Sequence, residues 1–174
     1  LEAETYKRLA LIDTLTRLPN RRGFEMEMER LDGSLERRKR VSMVVFDLNG
    51  LKKVNDSKGH AEGDRLITEF AGCLAQSFQK GGAAFRIGGD EFVVLLRERP
   101  ENGLEERMLD SKKDARRFGR ERNLDIQFAW GGVSAGEIGT EGMSMSQLFD
   151  VADSRMYANK RQPGRERPDE DKIE

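Results

Sequence analysis

The stretch Ala83-Ala84-Phe85-Arg86-Ile87-Gly88-Gly89-Asp90-Glu91-Phe92-Val93-Val94-Leu95-Leu96 sets two apolar runs on either side of a Gly-Gly-Asp-Glu turn. Runs of this length read as strands. A glycine pair between them is a hairpin signal, because glycine enters positive φ without steric cost. Taken alone, Gly88 to Glu91 is a polar surface turn. Because the apolar run Phe92 to Leu96 follows at once, however, its two acids are tethered to the middle of a sheet rather than to a loose loop.

Outward from this hairpin, Val41 to Phe46 is a continuous apolar run that ends in Asp47, the pattern of a central strand buried on both faces with a carboxylate at its exit. Upstream, Pro19-Asn20 stops one element and caps the next. Phe24, Met28, Leu31 and Leu35 then recur at helical spacing until the basic cluster Arg37 to Arg40, read as a solvated helix end. After a polar connection, Leu66, Ile67, Phe70, Leu74 and Phe78 mark an amphipathic helix with Asp64 in its first turn. Leu104, Met108, Ala115 and Phe118 suggest a further helix and Ile126 to Val133 a further strand. Met145, Leu148, Phe149, Ala152 and Met156 form the apolar stripe of a last helix. Gly131-Gly132 and Gly136 read as a bulge or a close backbone approach. Helices and hairpins are mixed without a repeated βαβ period. The fold class is therefore α+β, a central, mostly antiparallel sheet flanked by helices.

The chain has 174 residues, which at about 150 residues per domain suits a single core with short appendages. Lys and Arg number 31 against 32 Asp and Glu, a formal net charge of -1, which argues against bulk electrostatic binding of nucleic acid or an anionic membrane. Any phosphate must be held by a local site. The single cysteine, Cys73, makes no internal disulfide and is read as a packed thiol in a reducing, cytoplasmic compartment. No apolar run approaches the roughly 20 residues of a membrane span. The first residue is Leu1, which points to a piece of a longer protein, one compatible with a membrane anchor elsewhere. Residues 1–12 read as the end of an incoming helix, 13–165 as the domain and 166–174 as a polar tail or linker.

If the hairpin lies beside the strand that ends in Asp47, then Asp47, Asp90 and Glu91 converge at one sheet end. Such a cluster repels itself unless a cation sits within it, and hard oxygen ligands suit Mg²⁺ carrying substrate phosphates. Between Asn49 and Asp64, the stretch NGLKKVNDSKGHAEGD supplies lysines and glycines for a triphosphate, and Asn plus Asp for the edge of a purine such as guanine. His60 is open to two readings, a ligand contact or a structural hydrogen-bonder of the loop.

Four blocks in order, DTLTRLPNRR (13–22), FDLNGLKKVNDSKGHAEGD (46–64), RIGGDEF (86–92) and ADSRMYANK (152–160), resemble the GGDEF domains of bacterial diguanylate cyclases. The resemblance implies a core similar to nucleotide cyclases and polymerase palms. It also implies condensation of two GTP into cyclic di-GMP with release of two pyrophosphates, by a homodimer of facing domains. Mg²⁺ is the implied cofactor, with Mn²⁺ an admissible substitute. The implied metal ligands are Asp47, the carbonyl of Leu48, Asp90 and Glu91, with Asp90 also the proton acceptor. Asn55, His60 and Asp64 match guanine-reading positions. Lys52, Lys160 and Arg165 match phosphate contacts, together with the backbone N–H groups of Gly50 and Leu51. The helix-prone start is read as arriving from an upstream sensor domain, and the balanced charge gives no reason to expect a nucleic-acid partner.

Four departures stand out. Asn49 takes the place of a frequent second Asp, and Gly50 that of a frequent aromatic. Pro163 shifts the spacing ahead of Arg165. The product-inhibition motif Arg-x-x-Asp falls at Gln79 to Gly82 and reads QKGG, so inhibition through it is expected to be absent. The alternative from another class is a catalytically silent GTP-binding module that controls an attached domain such as a phosphodiesterase.

Overall fold

A computed structural model describes residues 10–161. In chain order the elements are α1 (Arg21–Asp32), α2 (Leu35–Arg38), β1 (Ser42–Leu48), α3 (Leu51–Lys58), α4 (His60–Ser77), β2 (Gly82–Arg86), β3 (Glu91–Leu96), α5 (Gly103–Glu121), β4 (Phe128–Ser134) and α6 (Met145–Lys160). One sheet has the order β2-β3-β1-β4, and every neighbouring pair is antiparallel. The class is α+β.

All seven positions of β1 are buried because the strand is central and helices cover both faces. On one face Val44, Phe46 and Leu48 pack with α4 and α5 residues such as Phe70, Leu74 and Met108. Here Phe46, Phe70, Phe92 and Phe128 meet edge-on or tilted at 5.0–6.3 Å between centroids. On the other face Met43 and Val45 pack with Phe24 and Leu31 of α1 and Met145, Leu148, Ala152 and Met156 of α6. Asp47 shares the parity of Met43 and Val45, so its side chain lies on the α6 side.

Local chemistry explains the boundaries. The Asn20 side chain accepts from the N–H of Gly23 and caps α1, as Pro19-Asn20 suggests. Ser144 and Gln147 form a reciprocal capping box at α6. Gly131 is a close approach: a Cβ there would lie 2.0 Å from the Met156 nitrogen and 2.2 Å from the Ala152 oxygen. Only glycine lets α6 lie this near β4.

Several expectations are corrected. The first helix does not continue to Arg40: it breaks at Gly33-Ser34, and Leu35 is 53% exposed on the short α2. The polar connection after Asp47 holds the two-turn helix α3, and α4 begins at His60, so Asp64 falls in its second turn. Periodicity misses α3 because it buries no residue fully. The hairpin forms as read, but not for the reason given: neither Gly88 nor Gly89 has positive φ. Instead a Cβ on Gly88 would come within 2.9 Å of the Glu91 carboxylate, while Gly89 faces open space. Ile126 precedes β4 rather than opening it. Of the expected incoming helix, residues 10–12 are described, and they form a turn leading to an isolated Ile12–Pro19 bridge. Residues 1–9, the tail over 166–174 and Arg165 lie outside the described residues.

Candidate active site

The β1–β3 register sets Asp47 directly opposite Glu91, and the N–H of Leu48 donates to the carbonyl of Asp90 at 2.8 Å. The strand exit and the glycine turn are therefore stitched together, and Asp47, Leu48, Asp90 and Glu91 share one sheet end. Asp47 is 5% exposed, a buried carboxylate that must be paired. Lys160, the last residue of α6, supplies the partner, with Nζ at 3.0 and 2.9 Å from the two carboxylate oxygens.

The electrostatics is that of crowded like charges. Burial pushes the Glu91 carboxyl up, and Asp153, Asp90 and Asp47 add to the shift against the opposing charge of Arg21. The hydrogen bond to Asp47 raises the Lys160 ammonium, and the charges of Asp47, Asp90 and Glu91 reinforce it against a smaller desolvation penalty. Asp153 of α6 and Arg21 of α1 are neighbours that sequence reasoning passed over. Asp153 sits inside the quoted block ADSRMYANK, seven residues before Lys160 and hence on the same helix face. That spacing was the available signal.

The glycine turn is braced from outside. The Arg86 guanidinium donates to the carbonyls of Gly88 (3.1 Å) and Gly89 (2.9 Å) and to both oxygens of Asp13 (3.2 and 3.0 Å).

Beyond β1, Gly50 adopts φ 77° and leads into α3 without a side-chain cap, leaving the first N–H groups of that helix, from Leu51 on, without a side-chain acceptor. Lys52 is exposed in this first turn. At the α3–α4 junction, Asn55 Oδ1 is buried with no hydrogen-bond partner and sits 1.8 Å from where a Cβ on Gly63 would be. Asp64 is the next residue and is exposed. An orphaned acceptor beside an open carboxylate fits a ligand that donates hydrogen bonds. His60 is exposed and is the first residue of α4. The structure thus sets Asp47, Asp90, Glu91 and Lys160 along one sheet end, and Asn55 and Asp64 at the α3–α4 junction that follows Gly50 and Lys52.

Among the described residues no three His, Cys, Asp or Glu side chains close on one point as a complete metal cage. The donor set is instead of the kind Mg²⁺ takes, namely one or two carboxylates with water and substrate phosphate completing the shell. The burial of Asp47 and the strain of like charge on Glu91 fit such a cation. A cavity of about 350 Å³ between α5 and β4, lined in part by Arg99, Leu104, Trp130 and Arg155, includes none of these residues.

A family model described as "Diguanylate cyclase, GGDEF domain" matches residues 10–166. The chain belongs to the GGDEF domain family. This GGDEF domain is 32% identical over 154 residues to the diguanylate cyclase DgcS of Shewanella oneidensis, covering 87% of this chain and 50% of that protein. It is 37% identical over 172 residues to an uncharacterized protein in the hutH 5′ region of Streptomyces griseus, covering 92% of this chain and 67% of that one. The chain thus spans about half the length of DgcS. Among solved structures, the coiled coil and GGDEF domain of DgcB from Caulobacter crescentus, in complex with c-di-GMP, superposes with a TM-score of 0.73. Its identity is 25%, over 92% of this chain and 85% of that one. Among the described residues no helix is long and apolar enough to cross a membrane.

Proposed function

We propose that this GGDEF domain is a diguanylate cyclase domain that condenses two GTP into cyclic di-GMP. The observation that carries the reading is the buried Asp47 set opposite Glu91 and beside Asp90 at a sheet end shared with Lys160. Asp47, Asp90, Glu91 and the Leu48 carbonyl would hold Mg²⁺, or Mn²⁺ in its place. When bound, the ion neutralises phosphate charge and lowers the pKa of the attacking hydroxyl.

The rest falls to the chain. Asn55 and Asp64 bind the guanine edge, with His60 at its margin, and the orphaned Asn55 oxygen supports this placing. The exposed N–H groups of Gly50 and Leu51, with Lys52, Lys160 and Arg165, hold the triphosphate. Each 3′-hydroxyl oxygen attacks the α-phosphorus of the other nucleotide. A P–O bond forms, the α–β bridging bond breaks, pyrophosphate leaves with that electron pair, and Asp90 accepts the hydroxyl proton. One domain holds one GTP, so two copies must face each other, and the gain is one of orientation. An upstream sensor would set that pairing.

The test incubates the chain, dimerised through a fused leucine zipper, with GTP and Mg²⁺ and resolves the nucleotides. Cyclic di-GMP with two equivalents of pyrophosphate is expected. Tight GTP binding without turnover would identify a regulatory module instead.

A further inference from the structure

The two oxygens of Asp47 are both engaged by one ammonium, at 3.0 and 2.9 Å, although Asp47 is only 5% exposed. Lys160 is the cation that balances this corner: Asp47, Asp90 and Glu91 all act on it. A carboxylate whose lone pairs already face an ammonium is a poor ligand for a second cation, because the two positive charges repel at short range. The Lys160 side chain is nevertheless 48% exposed at the last residue of α6, while Asp47 is fixed in a central strand. The mobile member of the pair is thus the lysine, which can swing to another anion on its four-carbon stem.

We propose that Lys160 is an exchangeable counter-ion that closes Asp47 to a divalent cation until a nucleotide polyphosphate draws the ammonium away. Cation and nucleotide then load together. This rests on the metal–nucleotide reading above. A lysine that served only the phosphates would leave the affinity of the protein alone for the ion untouched. A counter-ion lowers it, so removing the lysine must move the two affinities in opposite directions.

The experiment titrates Mn²⁺ into the full chain without nucleotide, following free Mn²⁺ by electron paramagnetic resonance, for wild type, Lys160→Met, Lys160→Arg and Asp47→Asn. A parallel series measures binding of a GTP analogue with a methylene group between the α- and β-phosphates, in saturating Mn²⁺. The expected result is that Lys160→Met binds Mn²⁺ alone at least tenfold more tightly than wild type and the analogue about tenfold more weakly. Lys160→Arg, which keeps the pair, stays near wild type in the first series. Equal or weaker Mn²⁺ binding by Lys160→Met, or none measurable up to millimolar concentration, overturns the proposal. Asp47→Asn separates the two readings: if it abolishes Mn²⁺ binding the metal site stands even where the exchange fails, and if it changes nothing in any background the metal site itself is wrong. Lys160→Met and Asp47→Asn each break a pair whose carboxylate is buried, so circular dichroism of every variant precedes the titrations, and Lys160→Arg, which keeps the pair, is the folded control.

Discussion

Arg86 ties Asp13, at the entry of the chain into the domain, to the carbonyls of Gly88 and Gly89 in the turn that carries Asp90 and Glu91. The pair is largely sheltered, with side chains 13% and 21% exposed. Asp13 is in turn held by the N–H and hydroxyl of Thr16. One guanidinium thus fixes the position of the entry turn and the glycine turn together.

Replacing Arg86 with Met leaves a sheltered carboxylate and two carbonyls without their donor. The loss should be about 2–4 kcal/mol of unfolding free energy in urea titration. The pH dependence identifies the partner. Burial pushes the Asp13 carboxyl up, but the hydrogen bonds from Thr16 and Arg86 outweigh it and hold the carboxyl below its ordinary value. A group depressed in the folded state stabilises above its unfolded pKa, about 3.9 for Asp, and loses that contribution as pH falls through the lower folded value. The stability gap between wild type and Asp13→Asn should therefore be full at pH 7 and shrink below about pH 4.

Glu91 carries the opposite sign. Its carboxyl is raised by burial and by Asp153, Asp90 and Asp47, so its charged form costs folding energy above the folded pKa and costs nothing once both states are protonated. Glu91→Gln should raise the thermal midpoint by about 1–3 °C at pH 7 in metal-free buffer, and the gain should vanish near pH 4. A lower midpoint at pH 7 would contradict the like-charge description of this corner.

Asn55 and Asp64 should divide by readout. Asn55→Ala removes a buried acceptor that has no partner, so it should leave urea stability within about 0.5 kcal/mol of wild type. It should also weaken GTP binding by roughly 10–100-fold. Asp64→Ala should narrow the preference for GTP over ATP more than it alters Mn²⁺ binding, whereas Asp90→Ala should abolish turnover.

Gly131→Ala places a methyl 2.0 Å from the Met156 nitrogen and 2.2 Å from the Ala152 oxygen, both backbone atoms of α6. The helix must then move off β4. The expected cost is about 3 kcal/mol. Because Asp153 and Lys160 ride on that helix, the Lys160–Asp47 contact should loosen with it, detectable as a smaller destabilisation by Lys160→Met when it is combined with Gly131→Ala than when it is made alone.

Cys73 is 2% exposed, and burial pushes its thiol up to about 11. It should resist a disulfide reagent at pH 8 in the folded protein and react with one equivalent on unfolding.

The elements that bury a continuous or periodic apolar face were legible in the residue order. β1, the β2–β3 hairpin, α4, α5 and α6 all announced themselves this way, because such patterning is local. α3 was not, since it buries none of its residues fully and is defined by what surrounds it. The break at Gly33-Ser34 escaped notice because Leu35 continues the helical spacing without continuing the burial. In the site, the acids at the strand exit and the glycine turn could be picked out as isolated features. Arg21 and the Arg86–Asp13 link could not, since each is one charged residue among many in a chain that is 36% charged, and Asp153 was marked only by its helical spacing from Lys160.

Residue order alone established the α+β class, the hairpin and the identity of the acids around it, because alternation, helical spacing and turn composition act over a few neighbouring positions. Register and proximity came from folding. The Asp47–Glu91 pairing depends on how two strands slide past each other, and the Lys160 contact on how closely α6 lies against β4. Both are set by the packing of two apolar faces, which no short stretch of chain encodes by itself.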